Sequence, residues 1–237
     1  MALEPLIVGP ARFRVRPWHQ DPHVAYLIPL TNAVTLRPDV LTGTRNRLRA
    51  MGFTRLYTAA VGAEERDAMA EDEFTVYEEL HLLRLDLRGP IPDRPGRRTR
   101  PRLRRGRRRD HTALLELDSS AFGPFWRLDR DGLHEACNAT PISRLRVTDD
   151  GARSGYSITG RAGPNGYLQR LAVAPHVESR GLGTALLADS LHWLRRRGAT
   201  SVLVNTQMGN HRALDLYERV GFERESERLS VLQRDLA

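Results

Sequence analysis

The sequence predicts an α+β protein: a mixed central sheet flanked by helices over residues 103–237, preceded by a smaller α/β portion over residues 1–90. Three observations lead there. Short alternating apolar runs take turns with stretches of helical spacing, the pattern of strands interleaved with helices. A strand-like run LAVAP passes directly into a glycine-rich turn and an amphipathic stretch, ESRGLGTALLADSLHWLRRRG. Between the two portions lies RGPIPDRPGRRTRPR, with four prolines, two glycines and almost nothing apolar, which reads as a linker centred on residues 91–102.

The elements follow in order. Residues 39–52 place Val40, Leu41, Leu48 and Met51 at helical spacing and end on Gly52. FTRLYTAAV alternates as a strand, an acidic helix is expected over 63–73, and TVYEELHLLRLDL closes this portion as a strand. After the linker, RLRRGRR predicts a strand and Asp110 the N-cap of a helix over HTALLELDSSAF. A short helix is expected within 129–138, then strands in SRLRVTDD, GYSITGRAG and GYLQRLAVAP, the last ended by Pro175. The long amphipathic helix, the strand TSVLVNT, the helix NHRALDLYERVG and the strand FERESERLSVLQRDL complete the chain. This final order matches that of residues 39–87, and LRAMGFTRL beside LRRRGATSV suggests a degenerate half-repeat. The earlier copy has TLRPDVL in place of RGLGTALL, lacks the glycines, and is not expected to bind a cofactor.

Composition excludes several classes. No apolar run approaches the ~20 residues of a membrane span, and MALEPLIVGPARF has neither a basic nor an extended apolar region, so a cytoplasmic location and no membrane partner are expected. Cys137 is the single cysteine, read as a small, partly buried hydrophobe. All positive charge is arginine. Residues 88–109 hold eleven arginines against Asp93, a local charge of +10, so the whole-chain +8 leaves −2 for the remainder. With no aromatic interleaving, this segment is read as a solvated linker, and nucleic acid is not the expected partner.

The chemistry concentrates at Glu178, Ser179, Arg180, Gly181, Leu182, Gly183 and Thr184, between a proline-ended strand and a helix. Glycines at 181 and 183 let backbone N–H groups approach an anion, the helix dipole favours negative charge there, and Arg180 adds a guanidinium: a phosphate cradle. Downstream, Asn210 opens NHRALDLYERVGF, with Ala213, Leu214, Tyr217 and Val220 on one helical face. Taken alone, an aromatic at the spacing of Tyr217 is ordinarily a core residue.

Together LAVAP, ESRGLG and NHRALDLYERVGF resemble the GCN5-related N-acetyltransferase (GNAT) family, over about 135 residues. The resemblance implies the acyl-CoA N-acyltransferase fold, acetyl-CoA as cosubstrate, no metal, and an amine acceptor that is a small molecule or a protein N-terminus. It implies that the backbone of Leu171, Ala172 and Val173 pairs with the pantetheine arm as an added strand, with the amide of Leu171 as oxyanion donor. The amides of residues 179–184 would hold the pyrophosphate, Asn210 would bond the cofactor arm, and Tyr217 would protonate the departing thiolate. Glu178 departs from the family's Gln or Arg, a carboxylate tolerable beside a pyrophosphate only if it points away or pairs with an arginine. No base is assigned: Gln169 and Asn205 stand where relatives often carry glutamate, while Asp131, His134 and Glu135 are further candidates. Phe122, Phe125 and Trp126 fall in the loop that closes the acceptor pocket of similar enzymes. A non-catalytic acyl-CoA sensor is the alternative.

Overall fold

A computed structural model describes residues 4–91, 101–151 and 153–236. Most of the predicted linker, residues 92–100, lies outside the described residues. The chain divides into two compact units, each drawing on both halves of the sequence: Met1–Leu82, Asn205–Asn210 and Glu225–Ala237 form the first, Leu83–Val204 and His211–Arg224 the second.

The first unit opens with three strands, β1 (Glu4–Val8), β2 (Ala11–Trp18) and β3 (Asp21–Pro29), which precede the first predicted helix. Their signal is the alternation ARFRVR: Ala11, Phe13 and Val15 are buried while Arg12 and Arg14 are exposed, the period of a half-buried strand. The helix α1 (Pro38–Ala50) then leads to β4 (Arg55–Thr58), parallel to β3, so the three make a βαβ unit. Val40, Leu41 and Leu48 of α1 pack with Leu27 and Leu56 in one apolar cluster. The helix α2 (Ala63–Ala70) is shorter than the predicted 63–73. It stops because the chain turns Phe74 back into the core, with its N–H on the Met69 carbonyl and Glu73 at φ +59°. The strand β5 (Thr75–Asp86) follows.

In the second unit, β6 (Leu103–Arg105), β7 (Ile142–Thr148), β8 (Gly155–Ala162) and β9 (Asn165–Val173) are successively antiparallel. Next to β9 lies β10 (Ser201–Gln207), parallel to it and reached through α5 (Leu182–Arg196), a second βαβ unit. Two helices, α3 (His111–Ala121) and α4 (Arg130–Asn138), cover one face, where Leu114, Leu117 and Leu133 pack on Val147, Tyr156 and Ile158. On the other face α5 and α6 (His211–Val220) pack Leu187, Leu191, Leu214 and Tyr217 on Leu168, Val202 and Val204. The closing strand β11 (Glu223–Asp235) falls almost wholly in the first unit, antiparallel to β4. Thus β3, α1, β4, α2 and β5 reproduce the order of β9, α5, β10, α6 and β11. The helix start that differs is also chemically different: α1 begins with Pro38 and Asp39, whose carboxylate bonds Arg37 at 3.2 Å.

Asp110 stands at the N-cap of α3, as the sequence predicts, but its side chain makes no capping hydrogen bond to that helix. Fully buried, its carboxylate accepts from Arg104 at 2.7 and 2.8 Å, from Arg153 at 2.9 Å and from the backbone N–H of Arg107. Two guanidinium groups outcompete a helix N–H for the same oxygens. They hold the carboxyl well below the usual aspartate range, with hydrogen bonding from Arg104 the largest cause. A depressed folded value means stability that is present above the unfolded pKa of ~3.9 and lost as pH falls through the folded one. Asp110→Asn should therefore lower thermal stability at pH 7 and flatten its decline below pH ~4; melting curves from pH 7 to 2 that stay parallel would contradict this.

Candidate active site

The site is built from β9, the start of α5 and α6, all in the second unit. A register shift opposite Ile158 and Thr159 pairs Ile158 with Arg170 and Thr159 with Leu168, leaving Gln169 as the extra residue of a β-bulge. Strict alternation would send Gln169 and Arg170 to opposite faces. The bulge sends both to the side of α3 and α4: Gln169 Nε2 lies over Gly160, and Arg170 reaches Asp118 on α3. Beyond the bulge, Leu171 packs with the α5/α6 cluster and Ala172 with the α3/α4 cluster.

The parallel register of β9 with β10 covers only Asn165, Gly166 and Tyr167. From Leu171 to Val173 the strand is laddered to β8, through Ser157, Tyr156 and Gly155, and carries no β10 register among the described residues. One backbone edge is thereby available to an extended ligand, the geometry of strand addition.

After Val173 the chain makes a 3₁₀ turn over Pro175–Val177, and the Ala174 N–H bonds the Ser154 carbonyl at 2.8 Å. Ser179 sits at φ +62° and Gly181 at φ +78°, ψ 4° as the residue before α5. The first intrahelical bond of α5 is Ala185 N–H to Gly181 C=O, so the amides of Leu182, Gly183 and Thr184 precede the helical ladder, as at every helix start. A Cβ on Gly183 would stand 3.3 Å from Leu216 Cδ2 and 3.8 Å from Val173 Cγ2, which explains glycine where the helix start meets β9 and α6. Arg180 is exposed.

Glu178 is paired with an arginine. Its Oε2 accepts from Arg212 Nη1 on α6, and Arg212 Nη2 donates to Ser179 Oγ at 3.2 Å. Nothing in the sequence singled out Arg212, which is a helical residue 34 positions away. The pair holds the carboxylate against α6 and largely neutralises it, and both side chains are solvated enough for the interaction to be modest. Glu178→Gln should therefore leave coenzyme A affinity within about twofold; a change of tenfold or more in a binding titration would contradict the pairing as the reason the acid is tolerated.

Tyr217 is only 5% exposed, packed in the α5/α6 cluster with its ring 5.6 Å from Phe222. The core reading and the site reading thus apply to one residue. Burial pushes its phenol well above the usual tyrosine value, and the Arg170 guanidinium pulls partly the other way. The chain therefore keeps Tyr217 protonated at neutral pH, the state required of a proton donor. Asn210 directly precedes α6, with its N–H on the Gln207 carbonyl at 3.0 Å, and groups with the first unit. Asp131, His134 and Glu135 lie on α4, and Asn205 groups with the first unit.

Sequence reasoning missed a buried network. Asp118 and Tyr156 are fully buried. Arg170 Nε and Nη2 donate to the two Asp118 oxygens at 2.7 Å each, a bidentate pair, and the Tyr156 hydroxyl donates to the same carboxylate. The predicted loop aromatics meet this network: Arg170 stacks over Phe122 at 3.4 Å, its Nη2 also donates to the Trp126 carbonyl at 2.7 Å, and Phe125 packs edge-on to Trp126. The bulge hides this from alternation, because it turns Arg170 inward with its neighbour.

The sequence model described as Acetyltransferase (GNAT) family matches residues 111–222. These residues form a GNAT domain. Over 123 residues the chain is 32% identical to a mycothiol acetyltransferase of Thermomonospora curvata, covering 49% of this chain and 41% of that protein. Over 78 residues it is 31% identical to the [ribosomal protein bS18]-alanine N-acetyltransferase of Escherichia coli, covering 33% of this chain and 53% of that one. The chain spans between a fifth and about half of the length of the curated relatives it matches. Among solved structures, a tandem GNAT protein from the clavulanic acid biosynthesis pathway superposes with a TM-score of 0.69 at 16% identity, covering 96% of this chain and 79% of that one. The likeness to a tandem GNAT fold therefore extends beyond the GNAT domain to the first unit. Among the described residues no helix is long and apolar enough to cross a membrane, and no group of three or more His, Cys, Asp or Glu is placed to hold a metal.

Proposed function

We propose that this chain is an acetyl-CoA-dependent N-acetyltransferase acting on a primary amine, an α-amine of a peptide or protein or that of a small molecule. The observation that carries the reading is the convergence of three features in the second unit: a β9 edge without β10 register at Leu171–Val173, a left-handed glycine opening α5, and a buried protonated tyrosine on α6. Pantetheine amides would add to the β9 edge, and the amides of Leu182, Gly183 and Thr184 would hold the pyrophosphate at the positive end of α5. The start of α1, with Asp39 in its first turn, offers no comparable anion site.

In the reaction the amine nitrogen attacks the thioester carbonyl, polarised by the Leu171 N–H, and a nitrogen–carbon bond replaces the carbon–sulfur bond. The substrate ammonium first loses a proton to solvent or a relay and attacks as the neutral amine; the nitrogen of the tetrahedral adduct loses a second proton the same way, Tyr217 gives its phenolic proton to the leaving thiolate, and solvent returns a proton to Tyr217. An α-amine, with an unperturbed pKa of ~7.7–8.0, needs less help in that first deprotonation than a lysine at ~10.4. The two relatives named for a small thiol and for a protein alanine support both acceptor types.

The test is a thiol-release screen with acetyl-CoA against amines, polyamines, aminoglycosides and peptides with free N-termini. Turnover with an amine is expected. Coenzyme A binding without thiol release across the panel would replace the enzyme with an acyl-CoA sensor.

A further inference from the structure

The loop joining α3 to α4, residues 122–128, is held at its start, middle and end by one buried ion pair. At its start, the Phe122 ring lies under the Arg170 guanidinium, 3.4 Å from Cζ to the ring centroid. In its middle, the Trp126 carbonyl accepts from Arg170 Nη2 at 2.7 Å. At its end, the Leu128 N–H donates to Asp118 Oδ1 at 2.6 Å. Asp118 in turn is gripped bidentately by Arg170 and bonded by Tyr156 from β8. Both Asp118 oxygens and the Nε and Nη2 of Arg170 are thus committed to one geometry, the condition under which a buried network favours a single arrangement.

Position gives the network its meaning. Arg170 is the residue immediately before Leu171, inside the bulge, and its charge acts on Tyr217. The loop it holds therefore borders the place where, on the reading proposed above, donor and amine meet. A buried ion pair is seldom the most stable filling for such a space, since apolar residues of equal volume usually do as well or better. What a planar fork supplies and an apolar side chain does not is a fixed orientation for the backbone it bonds.

We propose that Arg170, clamped by Asp118, is a positioning residue that fixes the 122–128 loop as one wall of the acceptor site and so sets acceptor affinity. Its effect on the acceptor runs through the loop, separately from its charge effect on Tyr217.

The test compares wild type with Arg170→Gln and Arg170→Lys by amide hydrogen exchange and by kinetics, using the amine found in the screen above. For Arg170→Gln, exchange over 122–128 should quicken about tenfold or more while α5 and β10 stay protected. The acceptor KM should rise about tenfold or more, with coenzyme A affinity within about twofold, as expected when only placement of one substrate is loosened. Arg170→Lys keeps the charge without the fork and should recover kcat better than acceptor KM. Unchanged exchange over 122–128, or kcat and both substrate constants failing together, would overturn the clamp. If Arg170→Gln does not fold, Asp118→Asn, which removes the partner charge at nearly constant volume, is read in the same way. Should no amine be acetylated, the proposed reaction fails by itself and the exchange measurement still decides the clamp.

Discussion

Tyr217→Phe should lower turnover by about 10²–10⁴-fold, the range for loss of a positioned general acid, while coenzyme A affinity changes less than about twofold. The substitution removes one oxygen from a side chain that is 5% exposed and packed on Phe222, so the apolar contacts of α6 remain. The phenol's pKa is raised, chiefly by burial. The sign follows: a raised value keeps the proton on Tyr217, so any alkaline decline in kcat caused by its ionisation is displaced above pH ~10. A wild-type profile falling near pH 8 would have to come from another group. Unchanged turnover in Tyr217→Phe, measured by thiol release at saturating acetyl-CoA, would retire Tyr217 as the acid.

Gly181→Val should weaken coenzyme A binding by about 100-fold or more. Gly181 opens α5 at φ +78°, where a β-branched residue carries roughly 1–3 kcal/mol of strain, so the turn shifts and takes the helix-start amides with it. No heavy atom lies within 4 Å of the position a Cβ would take, so the substitution does not overpack the core. A side chain there projects instead into the space an approaching anion would use. Gly181→Asn provides the control, because asparagine tolerates the left-handed conformation and should lose less affinity. Calorimetric titration with coenzyme A reads both variants, and wild-type binding by Gly181→Val would sink the phosphate cradle.

The two substitutions separate the halves of the proposed reaction. On the proposed function, Gly181 would govern whether the donor is held and Tyr217 whether the held donor reacts. Arg170 belongs to a third function, the placement of the acceptor, and its test reads a different constant.

Much of this was legible in the chain because it depends on local rules. Helical spacing marked α1, α5 and α6, and glycines at 181 and 183 marked the turn that opens α5 before any contact was known. The strands β1 to β3 were not among the predicted elements, although the alternation in ARFRVR follows the buried and exposed residues of β2. These features need only the period of the backbone and the freedom of glycine.

What the tertiary structure alone decided involves partners distant in sequence. The Glu178 carboxylate that looked unfavourable beside a phosphate is paired with Arg212, 34 residues on, and the Asp110 side chain, at the N-cap of α3, goes to Arg104 and to Arg153, 43 residues on, rather than to the helix. Neither choice is local, because charge-assisted bonds win over a single backbone N–H wherever folding brings a guanidinium near. The bulge at Gln169 reverses the facing of Arg170 by one inserted residue, so no periodicity argument could have sent it to Asp118. The sequence by itself thus determined the glycine-opened helix start at which donor binding is proposed. The inward turn of Arg170 to Asp118 was decided only by a shift in strand register, since a period of two has no way of announcing its own interruption.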